Sequence, residues 1–139
     1  MIIYHNPVIT CEEAAKARQI CLYRELKTLL LKLGHKKISV HLKGNNRLNS
    51  TAIKKLFKIN HLRFLSSSEL REYNLSKGLV NPWNIPFCEY NLICFNIFEN
   101  EYMYTNNGHY DQGIRFAPYD LLNISNVIIG EFSYECKKN

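Results

Sequence analysis

The sequence predicts a mixed α/β domain of α+β character, and three observations lead there. Short strand-like segments alternate irregularly with a few helix-like ones, which suits a sheet with helices at its margins rather than a doubly wound fold. No internal repeat and no linker divides the chain, so residues 1–139 read as one domain. Apolar residues make up 46% of the chain and recur throughout, enough for a core without disulfide or metal staples.

Thr10 opens the first helix as its cap, and Glu13, three residues on, closes a capping box. Glu12 and Glu13 complement the positive end of the helix dipole, and Ala14, Ala15 and Ala17 favour helix. The following CLYRELKTLLLKLG is ambiguous. Leu22, Leu26, Leu29, Leu30 and Leu33 fit one helical face, whereas LKTLLL also fits a buried strand paired with KISVHLKG, whose Ile38, Val40 and Leu42 alternate. On the residues alone the helix is favoured. GNNRLN reads as a turn and NSTAIKKLFKI as a helix capped by Asn49 or Ser50. HLRFL is a short strand. SSSELREYNL is a helix led by Ser67 or Ser68, with Asn74 suited to a left-handed end. YNLICFNIF and EYMYTNN read as two strands joined by the turn ENE. NNGHYDQG is a loop, IRFAP a strand, PYDLLNI a short helix with Pro118 in its first turn, and NVIIGEFS a closing strand.

The longest apolar stretches fall far short of a bilayer span and the amino end does not read as a signal peptide, so a soluble, cytoplasmic protein is expected. Five cysteines (Cys11, Cys21, Cys88, Cys94, Cys136) make an odd count with no C-x-x-C, which favours reduced, partly buried thiols over zinc or disulfides. The five histidines are scattered, none paired at ligand spacing, and neither metal nor cofactor is expected. Eighteen Lys and Arg against twelve Asp and Glu give a formal charge of +6, and the basic residues are concentrated between Lys16 and Arg63. Such asymmetry suits an acidic partner such as a polyphosphate backbone; a solvated basic face explains it equally well. No P-loop, G-x-S-x-G or G-x-G-x-x-G is present.

Two features stand out. In GLVNPWNIP, Gly78 can adopt positive φ and Pro82 fixes its own, so the backbone is held in few conformations. Such a loop is either a rigid connection, which the residues alone favour, or one wall of a pocket lined by backbone donors. Lys27 sits among Leu26, Leu29, Leu30 and Leu31, where its ammonium either enters a pocket mouth or snorkels to solvent.

HNPVITCEEAA, ELKTLLLK, GNNRLNSTAIKKLF, GLVNP and NNGHYDQGIRFAPYDLL occur in an order and spacing that resemble the aminoacyl-tRNA deacylases related to the editing insertion of bacterial prolyl-tRNA synthetase, the YbaK/ProX-type domain. The resemblance covers nearly the whole chain, and its most specific parts are Lys27 and the G-x-x-x-P loop from Gly78 to Pro82. It implies the YbaK/prolyl-tRNA synthetase-associated domain fold, a central, mostly antiparallel curved sheet flanked by short helices, with LKTLLL beginning a strand. It also implies a trans-acting, metal-free hydrolase of mischarged tRNA, with the acceptor end of tRNA as partner and an aminoacyl-tRNA synthetase as a further one. Lys27 would be catalytic; Thr28, Gly78, Leu79, Pro82, Asn106, Asn107, Gly108 and His109 would bind substrate. Three departures temper this. The elements that precede HNP in the family are largely missing, Leu79 replaces a frequent second Gly, and Gly113 stands where some relatives carry Asp, with Asp111 merely near. They motivate an alternative of another class, a catalytically inactive module of the same fold that binds tRNA or an aminoacyl group.

Overall fold

The ambiguous leucine-rich segment is a strand. In a computed structural model that describes residues 1–135, β2 (Leu26–Leu33) pairs antiparallel with β3 (Lys36–Lys43) from Leu26↔Lys43 to Leu33↔Lys36. Gly34, at φ +61°, turns the chain between them. The helix favoured by spacing loses because both faces of β2 find apolar partners. Leu31 and Leu33 join one core cluster, while Leu26 and Leu30 join two others on the opposite face. A strand buried on both sides reads as a continuous apolar run, and that run also fits a helix.

The remaining elements follow in chain order. β1 is Ile2–Tyr4, α1 Cys11–Arg18, β4 Asn46–Leu48, α2 Ser50–Phe57, β5 Arg63–Phe64 and α3 Ser67–Glu72. Then come β6 Tyr90–Cys94, β7 Met103–Asn106, β8 Gln112–Phe116, β9 Val127–Gly130 and β10 Ser133–Glu135. Five strands form the central sheet in the order β5-β2-β3-β6-β9; β1-β8-β7 and β10-β4 form two smaller sheets. The pairings β3–β6 and β6–β9 are parallel, and the other strand pairings among the described residues are antiparallel. The architecture is thus the mixed, mostly antiparallel α/β arrangement that the sequence predicts. None of the described helices is long and apolar enough to cross a membrane. Cys136 lies outside the described residues.

Helix caps agree closely with the chain's chemistry. Thr10 and Glu13 close the expected capping box on α1, and Asn49 rather than Ser50 caps α2 by accepting from Ala52 N at 3.1 Å. On α3 the cap is Ser66, one residue before those expected, because only Ser66 has Glu69 three residues on to complete its box. Asn74 is left-handed as expected, at φ +58°.

Three segments differ from expectation. GNNRLN is not only a turn: Asn46–Leu48 is β4, which pairs with β10. YNLICFNIF is not one strand facing EYMYTNN across a turn. β6 ends at Cys94, residues 95–99 form a 3₁₀ turn that buries Ile97, and β7 belongs to another sheet. NVIIGEFS splits into β9 and β10 because Phe132 between them is drawn into the core. In each case burial of one apolar side chain, or a partner strand distant in sequence, overrides the local pattern.

α2 covers one face of the central sheet and buries Ile53 against Leu31, Val40, Leu42 and Leu92. The opposite face carries two clusters. Met103 and Phe116 of the β1-β8-β7 sheet meet Leu26 and Ile93 in one; Leu65, Leu75 and Ile85 meet Leu30 in the other.

The segment leading into β2 is held by a buried ion pair. Arg18 Nη1 donates to both oxygens of Glu25 at 2.6 Å, and both side chains are 2% exposed. Arg18 Nε donates to His5 Nε2 at 3.2 Å, and Gly113 leaves room for the guanidinium that a Cβ there would occupy. Burial raises the Glu25 pKa from 4.5 to about 7, Arg18 opposing the rise. The folded state therefore binds this proton more tightly than the unfolded chain does. Its contribution to stability is fully present below pH 4.5 and is lost as pH rises through 7. The difference in melting temperature between the wild type and Glu25→Gln is expected to shift toward the wild type as pH falls from 8 to 5. A difference independent of pH would show that Glu25 does not titrate in this window.

Candidate functional site

A cleft of about 550 Å³ opens beside β2. Its existence follows from a mismatch of lengths. β5 pairs with β2 only at Leu31 and Lys32, and Leu65 N then reaches Leu30 O at 3.1 Å; at the other end β7 meets this edge only through the Glu25–Tyr104 bridge, so the stretch between has no paired strand beside it. Residues from both faces of β2 reach that edge: Leu26, Thr28 and Leu30 from one, Lys27 and Leu29 from the other. The other walls come from Ile9–Cys11 at the start of α1, Phe64 at the end of β5 and Leu65 after it, and Gly78 and Val80 of the Gly-Pro loop.

Lys27 is half-buried and donates from Nζ to the Asn46 carbonyl at 2.7 Å. An ammonium carries three donors, so this contact anchors the group while two donors remain. Lys27 forms no ion pair among the described residues.

The Gly-Pro loop is built around Gly78 and two asparagines. Gly78 lies at φ +86°, and a Cβ there would sit 2.7 Å from Ile9 O, so only glycine lets the loop lie against the chain entering α1. Asn81, 5% exposed, accepts from Trp83 N at 2.9 Å and donates to Asn106 O at 3.2 Å. Asn84 Nδ2 donates to Leu79 O at 2.8 Å, and Asn106 Nδ2 to Val80 O at 2.8 Å. The loop is therefore tied internally and to the end of β7, and its rigidity rests on more than Pro82, which is buried beneath it.

Of the residues singled out from the sequence, the cleft brings together Lys27, Thr28, Gly78 and Asn106. The others stand behind or beside it. Leu79 and Pro82 shape the loop, and Gly108, at φ +96°, donates from its backbone N to Asn106 Oδ1 at 3.0 Å. Asn107 donates to Gln112 Oε1 at 2.7 Å, while its own Oδ1 is buried without a partner. His109 is exposed and borders a smaller cavity of about 40 Å³ next to the cleft, together with Arg18 and Glu25. Sequence reasoning missed Asn81 and Asn84, which hide within an Asn-rich composition. It also missed Glu25, whose burial nothing in its neighbours announces. At Gly113 the Arg18 guanidinium fills the space that a side chain would take.

The cleft walls carry two lysines, Lys27 and Lys77, hydroxyl groups and apolar surface, but no carboxylate and no imidazole. Cys11 lies on the wall, yet burial holds its thiol up at about 11, so it is not a thiolate at neutral pH. Among the described residues no three His, Cys, Asp or Glu side chains gather as a metal ligand set. The arrangement is suited to hold an anionic or carbonyl-bearing ligand against rigid backbone.

A profile described as "Aminoacyl-tRNA editing domain" matches residues 5–124. Two proline–tRNA ligases are similar in sequence. That of Sulfurihydrogenibium sp. (strain YO3AOP1) is 27% identical over 113 residues, 75% of this chain and 20% of the ligase. That of Francisella tularensis subsp. mediasiatica (strain FSC147) is 27% identical over 145 residues, 96% of this chain and 25% of the ligase. The chain thus spans a quarter or less of these relatives. Among solved structures, hypothetical protein APE2540 superposes with a TM-score of 0.86 at 20% identity, over 96% of this chain and 91% of its own. A candidate trans-editing enzyme for prolyl-tRNA synthetase superposes at 0.83 and 20% identity, over 96% of this chain and 85% of its own. With the profile covering most of the chain and the fold agreeing throughout, this protein belongs to the aminoacyl-tRNA editing domain family.

Proposed function

We propose that the protein is a trans-acting deacylase that hydrolyses the ester of mischarged tRNA with groups of the protein and the substrate alone. The observation that carries this reading is the cleft itself, whose walls around a space of about 550 Å³ include both Lys27, anchored through its ammonium on the Asn46 carbonyl, and the rigid Gly-Pro loop. That volume is in the range of small-molecule sites and accommodates a terminal aminoacyl-adenosine.

In this reading the 3′-terminal adenosine enters between β2 and the Gly-Pro loop. Lys27 neutralises its phosphate or orients the ester, and backbone groups near Gly78 stabilise the developing oxyanion. Water adds to the carbonyl carbon, the bond to the ribose oxygen breaks, and a free amino acid and an uncharged tRNA leave. The cleft walls hold no side chain suited to take the proton from water, so a substrate group, the tRNA hydroxyl or a substrate thiol, accepts it. Thr28 and Asn106 contact the aminoacyl end, while Leu79, Pro82, Asn107, Gly108 and His109 set the shape of the surrounding loops. The basic residues between Lys16 and Arg63 hold the acceptor stem in the cytoplasm's pool of tRNA.

The decisive experiment is deacylation of Ala-tRNA(Pro), Cys-tRNA(Pro) and other mischarged tRNAs with chelator present. Lys27→Ala is expected to lower the rate about 100-fold or more, the scale of one preorganised electrostatic donor. Turnover like the wild type in that variant removes Lys27 from the mechanism. Gly78→Ala meets both a left-handed backbone and the Ile9 carbonyl, at a cost of about 1–3 kcal/mol. It is expected to lower the melting temperature and kcat/KM together, and an unaltered kcat/KM would detach the loop from the reaction. Affinity for tRNA is expected to fall steeply between 50 and 200 mM salt, roughly as counterion release from several phosphates requires; a flat salt response argues against stem binding. Binding of aminoacyl-tRNA without turnover across the panel would make the protein a binding module instead.

A further inference from the structure

A polar seam crosses the inner face of the central sheet between two apolar clusters. His41 is fully buried and lies opposite Thr28 in the β2–β3 register; Ser39 lies opposite Asn91 in the β3–β6 register. Thr28 Oγ1 is 3.0 Å from His41 Nδ1, and His41 Nε2 is 2.8 Å from Ser39 Oγ. Ser39 Oγ donates to Asn91 Oδ1 at 2.5 Å, and Asn91 Nδ2 donates to the Ser125 carbonyl at 2.7 Å.

The direction of every bond in this chain follows from its far end. A carbonyl only accepts, so Ser125 draws the amide nitrogen of Asn91 and leaves Oδ1 facing Ser39. Ser39 spends its one proton on that oxygen and must receive the Nε2 proton of His41. Burial pushes the His41 pKa down to about 3, so the ring is neutral and its Nδ1 carries no proton. Thr28 therefore turns its own proton inward to Nδ1. Thr28 is the member of this chain that also lines the cleft, and its oxygen has only a lone pair left to offer there.

We propose that Thr28, held by the buried His41–Ser39–Asn91 chain, is an acceptor-only contact that receives a hydrogen-bond donor of the bound ligand. On the deacylase reading, on which the ligand's identity rests, that donor is the α-ammonium of the aminoacyl group or the 2′-hydroxyl of the terminal ribose. His41, Ser39 and Asn91 are positioning residues that fix the polarity of Thr28 without touching the ligand. A hydroxyl free to rotate would serve acceptors as well as donors; this one discriminates against acceptors, because a ligand carbonyl placed there would face a lone pair.

Two measurements test this on the full chain. Long-range ¹H–¹⁵N NMR is expected to find His41 protonated on Nε2 and bare on Nδ1; a proton on Nδ1 overturns the proposal whatever the enzyme hydrolyses. Binding is then measured for acceptor-stem minihelices ending in non-hydrolysable 3′-aminoacylamino-3′-deoxyadenosine, one complete, one without the α-amino group and one without the 2′-hydroxyl. Thr28→Val is expected to weaken binding of the complete analogue about tenfold, and Thr28→Ser to restore it to within about twofold. The analogue that has lost the relevant donor should be insensitive to Thr28→Val, which names the donor. Equal loss for all three analogues, failure of Ser to restore binding, or no binding by the wild type overturns the proposal; Thr28→Ala replaces Val if that variant fails to fold. Wild-type binding of the analogues with no hydrolysis of the esters would sink the deacylase reading and leave this contact standing.

Discussion

β2 is the element on which the rest of the molecule depends, because it is buried on both faces and yet left uncovered along part of one edge. Its leucines feed clusters on both sides of the central sheet, so β2 holds α2 on one side and the β1-β8-β7 sheet on the other. An open edge within such a strand is ordinarily a liability, since free backbone groups invite another strand. Here the short β5 stops the ladder early, and the start of α1 and the Gly-Pro loop stand across the gap instead of pairing with it. The same local shortage of strand that exposes backbone makes a cleft, and it places Lys27 and Thr28, adjacent in sequence but on opposite faces, at one rim.

Asparagine does much of the fixing that charge does elsewhere. Asn81 and Asn106 tie the Gly-Pro loop to β7, Asn84 ties the loop to itself through Leu79 O, and Asn126 donates to Glu89 O at 2.9 Å where β6 begins. A short neutral amide can imitate a peptide group, both donating and accepting, and its burial costs far less than that of an ion. Loops held this way keep a fixed shape while leaving the field in the cleft to its lysines. The Arg18–Glu25 ion pair, fully buried, sits to one side of the cleft and anchors the chain entering β2.

The same packing bears on Gly113 and Leu79, two positions where the sequence departs from the pattern it resembles. Gly113 is buried beneath the Arg18 guanidinium, so a larger residue there and Arg18 in its present position exclude each other. Leu79 is half-buried and lies off the cleft wall, which leaves the neighbouring Gly78 and Val80 as the residues of this loop that line the cleft.

Local chemistry by itself determined the cap at Thr10, a cap at Asn49 or Ser50, the left-handed Asn74, the alternation of β3, the stiffness of the Gly-Pro loop and the mixed α/β class. Those features depend on residues within a few positions of one another, where capping, turn chemistry and alternation act. The motif order likewise marked Lys27 and Gly78, which the fold brings to the walls of one cleft. Tertiary structure alone decided that LKTLLL is a strand, that β4 finds β10, and that the chain changes sheets after Cys94. It alone joined Thr28 to Asn91 through His41 and Ser39, and Arg18 to Glu25. The physical reason is common to all of these. Each depends on a partner or a burial supplied by chain distant in sequence, and hydrophobic spacing records how much must be buried without recording against what.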